Sequence, residues 1–226
     1  MARDYCPKVR QRDQLARRIS QRASYDRILI VSEGAKTEPN YFCEIRAAYR
    51  LHTTNVEVRH CETGTSPIQV VQYAESLFRN GDRHKRIQPR AFEQVYAVFD
   101  RDDHDSYFDA LRYAAELDGQ LKNDTRQSVA FHAVASVPNF ELWLLLHYAQ
   151  VHAPVHRDEV IQRLKQHVPQ YRKGMRNAFA ITRPNLDAAR QRAMELSRRF
   201  TAEMAPEPYT GVGELVTRLT TLRVTS

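Results

Sequence analysis

No apolar run in this chain approaches the roughly 20 residues that cross a bilayer, so no membrane-spanning helix is expected. The Arg-rich amino terminus also lacks the apolar segment of a signal peptide. Cysteine is sparse: Cys6, Cys43 and Cys61 include no Cys-x-x-Cys pair, which argues against a zinc ribbon and gives no disulfide framework. A reduced, cytoplasmic setting is the expectation. Repeats and low-complexity tracts are missing too. Acidic residues are in deficit, with 27 Asp and Glu against 34 Lys and Arg, a net charge of +7. That balance points to a polyanionic partner such as DNA or RNA. A generally arginine-rich proteome would give the same balance without one.

What is present is 226 residues with 42% hydrophobic content, enough for one domain with additions. Residues 1–26 carry Arg3, Lys8, Arg10, Arg12, Arg17, Arg18 and Arg22, a basic arm that either meets phosphates or is a solvated tail. Short apolar runs follow at 28–32, 56–61, 94–99 and 129–135, each of strand length. Helical stripes separate them. Thr37 is a candidate helix cap, with Tyr41, Ile45 and Ala48 on one face. Ser66-Pro67 starts the next helix, with Ile68, Val71, Ala74 and Phe78 as its stripe. Ser106 and Asp109 have capping-box spacing ahead of Phe108, Leu111 and Ala115. The order β-α-β-α-β-α-β predicts a mostly parallel four-stranded sheet with helices on both faces, over residues 27–150.

The third strand ends in Val98-Phe99-Asp100-Arg101-Asp102-Asp103-His104. Open α/β sheets place ligands beyond the carboxyl ends of their strands. Asp100 and Asp102 are two apart, so in extended chain both side chains leave on one side. Paired carboxylates repel unless a cation lies between them, and Mg²⁺ suits such a site. Taken alone, Asp-x-Asp is a common pattern and reads first as a solvated acidic turn capping the next helix. Glu33, followed by Gly34, is a carboxylate at the end of the first strand.

Residues 138–148 are apolar nearly all round, which predicts a central, buried helix. Glu141 and His147 lie inside it, either as satisfied structural groups or as part of a site. Residues 151–226 read as a helical extension packed on the domain. There Leu186, Ala189, Ala193, Leu196 and Phe200 form one apolar seam, and Tyr171–Arg176 form a basic loop containing Lys173 and Arg176.

Three segments together resemble the RloB-like protein family: Ile28–Phe42 (ILIVSEGAKTEPNYF), Val98–His104 (VFDRDDH) and Ser136–Tyr148 (SVPNFELWLLLHY). Ser32 stands where many relatives carry cysteine. The resemblance implies a Toprim-like domain, the fold of topoisomerases, bacterial primases, recombination mediators and overcoming-lysogenisation nucleases. Toprim enzymes carry Glu after the first strand and Asp-x-Asp after the third, which correspond here to Glu33, Asp100 and Asp102. The family is associated with prokaryotic antiviral defence and restriction loci, often beside an ATPase gene. Strand passage and priming need further domains for which 226 residues leave little room. The expectation is therefore a nuclease dependent on Mg²⁺ or Mn²⁺, with Asp100 and Asp102 holding the metal. Glu33 would be a base or further ligand, and Lys36, Arg101, Lys173 and Arg176 would lie near phosphates. Asp103, His104 and Glu141 are additional candidates. The alternative is a non-catalytic nucleic-acid-binding adaptor that recruits a partner nuclease or ATPase.

Overall fold

The computed structural model describes residues 26–102 and 104–222. The expected basic arm, except for Asp26, and the candidate Asp103 lie outside the described residues. Strands β1 (Ile28–Ser32), β2 (Val56–His60), β3 (Gln94–Asp100) and β4 (Ala130–Val137) alternate with helices α1 (Thr37–Ala48), α2 (Pro67–Asn80) and α3 (Tyr107–Leu117). With β5 (Tyr209–Thr210) they form a sheet in the order β2-β1-β3-β4-β5, with the first four parallel. The fifth strand, Tyr209–Thr210, pairs antiparallel with β4 through Ser136 and Val137. The sequence predicts four strands. The fifth has only two residues, too short for any periodicity, and it exists because the edge of β4 offers it backbone partners.

Alternate residues of each strand serve opposite faces. Ile28, Ile30, Tyr96, Val98 and Val134 join the core beneath α1 and the later helices. Leu29, Val31, Val95, Ala97 and Phe99 join the core beneath α2 and α3. Both faces are covered, which is why the strands read as continuous apolar runs. The opposite, amino-terminal end of the sheet is closed by Arg27, whose guanidinium binds Glu93 and, at 2.6 Å, Asp124.

Helix α4 (Glu141–Leu146) is shorter than the expected span of 138–148, but every residue in it is buried. After it come α5 (Arg157–His167), α6 (Ala178–Thr182), α7 (Leu186–Ser197) and α8 (Val212–Thr221). Leu186, Ala189, Ala193 and Leu196 are buried in the same core as α1 and α4. The seam therefore packs on this chain, with Phe200 partly buried beyond the helix end. No helix among the described residues is long and apolar enough to cross a membrane.

Several local expectations change. The Ser66 start holds: Gln69 Oε1 accepts the Ser66 N–H at 3.2 Å, with Pro67 in the first turn. Ser106 makes no capping bond, and its hydroxyl is buried without a partner among the described residues. Phe108 is exposed, because the buried stripe of α3 is Tyr107, Ala110, Leu111, Ala114 and Leu117. Tyr107 sets that rotation by packing edge-on against Phe99, at 6.0 Å between ring centroids. Ala48 is exposed as well, and Phe42 takes its place in the core.

Candidate functional site

Strand order reverses between β1 and β3, since β2 lies beyond one and β4 beyond the other. The crevice outside such a switch point is where doubly wound folds bind ligands. Glu33 extends from the end of β1, and its Oε2 accepts the backbone N–H of Asp100 at 3.1 Å. Its other oxygen, Oε1, faces His104 Nε2 at 3.6 Å. Glu33 thus reaches across to the end of β3.

Asp100 ends β3, but the chain does not stay extended to Asp102 as the two-residue spacing predicts. Asp102 has φ +30°, and its N–H points to the Pro138 carbonyl at 3.3 Å. Both aspartates still line one hollow, brought there by the turn rather than by strand alternation. Arg101 holds this turn: its Nη1 donates to the carbonyls of Asp102 at 2.9 Å and His104 at 3.3 Å. Its guanidinium lies over the Tyr107 and Phe108 rings. Arg101 is therefore committed first to the turn.

The hollow, of about 300 Å³, is lined by five carboxylates, Glu33, Glu38, Asp100, Asp102 and Glu141, with Lys36 and Lys173 at its edge. Glu38 is the residue sequence reasoning missed. The signal was available, since Glu38 lies one turn of chain after Glu33 in the first turn of α1. Gly34 makes room for it: a Cβ there would meet Glu38 Oε2 at 2.2 Å. Glu141 is 2% exposed and accepts a hydrogen bond from the Tyr171 hydroxyl at 2.9 Å, with Lys173 Nζ at 4.0 Å. His147 does not line this hollow: its Nδ1 donates to the Trp143 carbonyl at 3.0 Å, burial lowers its pKa to about 4, and its Nε2 is buried with no partner among the described residues.

Tyr171 and Lys173 reach the site because their loop is clamped to the start of α1. Gly174 N–H donates to Thr37 Oγ1 at 2.9 Å, and Asn40 Nδ2 donates to the Gly174 carbonyl at 3.1 Å. Thr37, expected as a helix cap, serves this clamp, and Lys36 takes the cap position. Gly174 has φ +76°, and a Cβ there would meet Lys36 Cβ at 2.8 Å. Gly174→Ala is expected to cost about 1–2 kcal/mol and to loosen the loop, read as a lowered melting temperature and faster proteolysis near residue 173. An unchanged melt would remove the clamp from this description. Arg176 lies in a neighbouring hollow with Arg172 and Gly174, outside the carboxylate site.

Burial, with the neighbouring charges, raises Glu33, Glu38 and Asp100. Burial lifts Glu38 to about 7, and the charges of Glu141 and Glu33 add to it. Burial also holds Asp100 well above the usual range, with Glu38, Glu33, Glu141 and Asp102 contributing. Glu33 is raised mainly by burial, opposed by its bond to the Asp100 amide and by His104. A carboxylate raised on folding binds its proton more tightly in the native state, so stability falls as pH rises from the unfolded value toward 7. Glu38→Gln removes that penalty. It is expected to stabilise the metal-free protein by on the order of 3 kcal/mol at pH 8 and by little at pH 4. Equal effects at both pH values in urea melts would count against it.

The donor set is all carboxylate oxygen, the chemistry of Mg²⁺ or Mn²⁺. Among the described residues Glu38 Oε2 and Asp102 Oδ1 are buried with no hydrogen-bond partner, and a cation would satisfy such oxygens. In donor chemistry the residues fit a divalent metal. In arrangement they are not drawn together: among the described residues no three His, Cys, Asp or Glu side chains form a ready ligand group. Asp102 instead directs Oδ2 to Arg157 Nη1 at 3.2 Å.

No curated protein and no solved structure matches this chain. A family model described as RloB-like protein matches residues 28–219, which span every strand and helix that builds the hollow. The chain belongs to the RloB-like protein family.

Proposed function

We propose that this protein is a metal-dependent nuclease that hydrolyses phosphodiester bonds of DNA or RNA. The observation that carries this reading is the lining of one hollow, at the sheet's switch point, by five carboxylates, two of which have oxygens unpartnered among the described residues, in a chain of net charge +7. Asp100 and Asp102 would hold the ion. When bound, Mg²⁺ or Mn²⁺ neutralises phosphate charge and lowers the pKa of water. Glu33 anchors Oε2 on the Asp100 amide, which leaves Oε1 to accept a proton from the attacking water. Glu38, at about 7, is a second group able to hold or release a proton near neutrality. Lys36 and Lys173 at the edge of the hollow would pair with phosphate oxygens. The resemblance supports cytoplasmic antiviral defence, beside an ATPase partner, as the setting.

The test is cleavage of labelled DNA and RNA by purified protein with Mg²⁺ or Mn²⁺ against chelator. Cleavage that needs metal and is lost in Asp100→Asn is the expected result. One observation favours the adaptor reading: among the described residues no three His, Cys, Asp or Glu side chains form a ready ligand group. Nucleic-acid binding without cleavage under every metal, with and without the ATPase, would establish that reading instead.

A further inference from the structure

Asp102 borders two hollows. One is the carboxylate site; the other, of about 530 Å³, is walled by Arg101, His156, Arg157 and the ring of Pro138. We propose that Arg157 is a latch on Asp102, and that a phosphodiester of the nucleic-acid substrate, entering the second hollow, draws Arg157 away and frees Asp102 for the carboxylate site. The proposal rests on the nuclease reading and adds to it a subsite and an order of events.

The geometry of the pair suits a latch. Arg157 reaches Asp102 through one contact, Nη1 to Oδ2 at 3.2 Å, longer than a strong charge-assisted bond and not bidentate. The arginine side chain is 44% exposed and the aspartate 20%, so solvent screens the pair and its worth is small. A phosphate offers the guanidinium two oxygens in matching geometry, which a single carboxylate oxygen does not. Arg157 is also the first residue of α5, where a cation opposes the helix dipole, so its own helix does not account for the charge there. The turn around Asp102 is fixed by Arg101 on the 102 and 104 carbonyls, so the Asp102 side chain is the part that moves. With Oδ2 held by Arg157, Oδ1 is buried and unpaired among the described residues, and no three His, Cys, Asp or Glu side chains there form a ready ligand group.

The ligand is a polynucleotide rather than free phosphate. Lys36 and Lys173 edge the carboxylate hollow, whereas Arg101 and Arg157 wall the other, so the cations flank Asp102 in both hollows. Successive phosphates of one strand can engage both groups, and a single phosphate fills one.

Two binding measurements without turnover test this. Mn²⁺ titration of the nucleic-acid-free protein is expected to show about two- to fivefold tighter binding in Arg157→Gln, the range of a half-exposed ion pair. Arg157→Lys keeps the charge and is expected to bind Mn²⁺ as the wild type does. In chelator, Arg157→Gln is expected to bind a single-stranded oligonucleotide more weakly, with a salt slope smaller by about one counterion. Inorganic phosphate is expected to compete only weakly with that oligonucleotide. Unchanged or weaker Mn²⁺ binding in Arg157→Gln overturns the latch, as does an unchanged salt slope. Free phosphate binding as tightly as the oligonucleotide overturns the subsite. A wild-type protein that binds neither Mn²⁺ nor oligonucleotide ends the nuclease reading as well, whereas failure of the variant alone ends only the latch.

Discussion

Glu33→Gln is expected to lower turnover about 10²–10⁴-fold, the usual worth of a positioned general base, while leaving metal affinity within a few-fold of wild type. The geometry is the reason. One carboxylate oxygen of Glu33 is fixed by the Asp100 amide at 3.1 Å, and an amide oxygen can accept that bond equally well. The glutamine keeps the shape of the site and loses only the ability to take a proton. Asp100→Asn is expected to lose metal and turnover together. Calorimetric Mn²⁺ affinity and single-turnover cleavage on the same preparations separate the two. Wild-type cleavage by Glu33→Gln would remove Glu33 as the base. Metal loss as severe as in Asp100→Asn would make it a ligand. The base would then be sought at Glu38, which titrates near 7, before Glu141, whose carboxylate is engaged by Tyr171.

Trp143→Ala is expected to cost about 3–5 kcal/mol of folding stability, as large aromatic truncations in cores do. Trp143 is fully buried in α4, and its Nε1 donates to the Tyr41 hydroxyl at 2.8 Å. Gly213 of α8 approaches so closely that a Cβ there would lie 3.2 Å from the indole. The truncation therefore opens a cavity between α1, α4 and α8 and leaves a buried hydroxyl short of its donor. Trp143→Phe fills most of that volume and is expected to cost about 1–2 kcal/mol. Urea melts followed by circular dichroism give both values. A cost below about 1 kcal/mol for the alanine variant would mean that α4 is not the centre of this core.

Much of the site is legible because its residues sit where strands end. Glu33 and Asp100 each terminate an apolar run, and strand ends in a parallel sheet converge by construction. Glu38 was hidden because a glutamate in a first helical turn ordinarily serves the helix dipole and faces water. Its carboxylate takes up the space that a Cβ at Gly34 would fill. Phe108 was assigned to the core because helical spacing gives a stripe but not its rotation, and the contact of Tyr107 with Phe99 sets that rotation. Arg157 lies 55 residues beyond Asp102 and carried no local signal.

The sequence by itself determined the strand–helix alternation, the two-sided burial of the sheet and the burial of 141–146, because periodicity and apolar content are local properties that every stable packing must satisfy. The resemblance of its motifs also determined the family. Tertiary structure alone decided the short antiparallel strand on β4, the clamp of Gly174 on Thr37 and the inward turn of Glu38. It also decided the ion pair of Arg157 with Asp102. Each of these depends on atoms far apart in the chain meeting at a distance of a few ångströms. A backbone edge, a missing Cβ or a single carboxylate oxygen has no periodicity to announce it, so it becomes visible only when the packed chain brings its partner alongside.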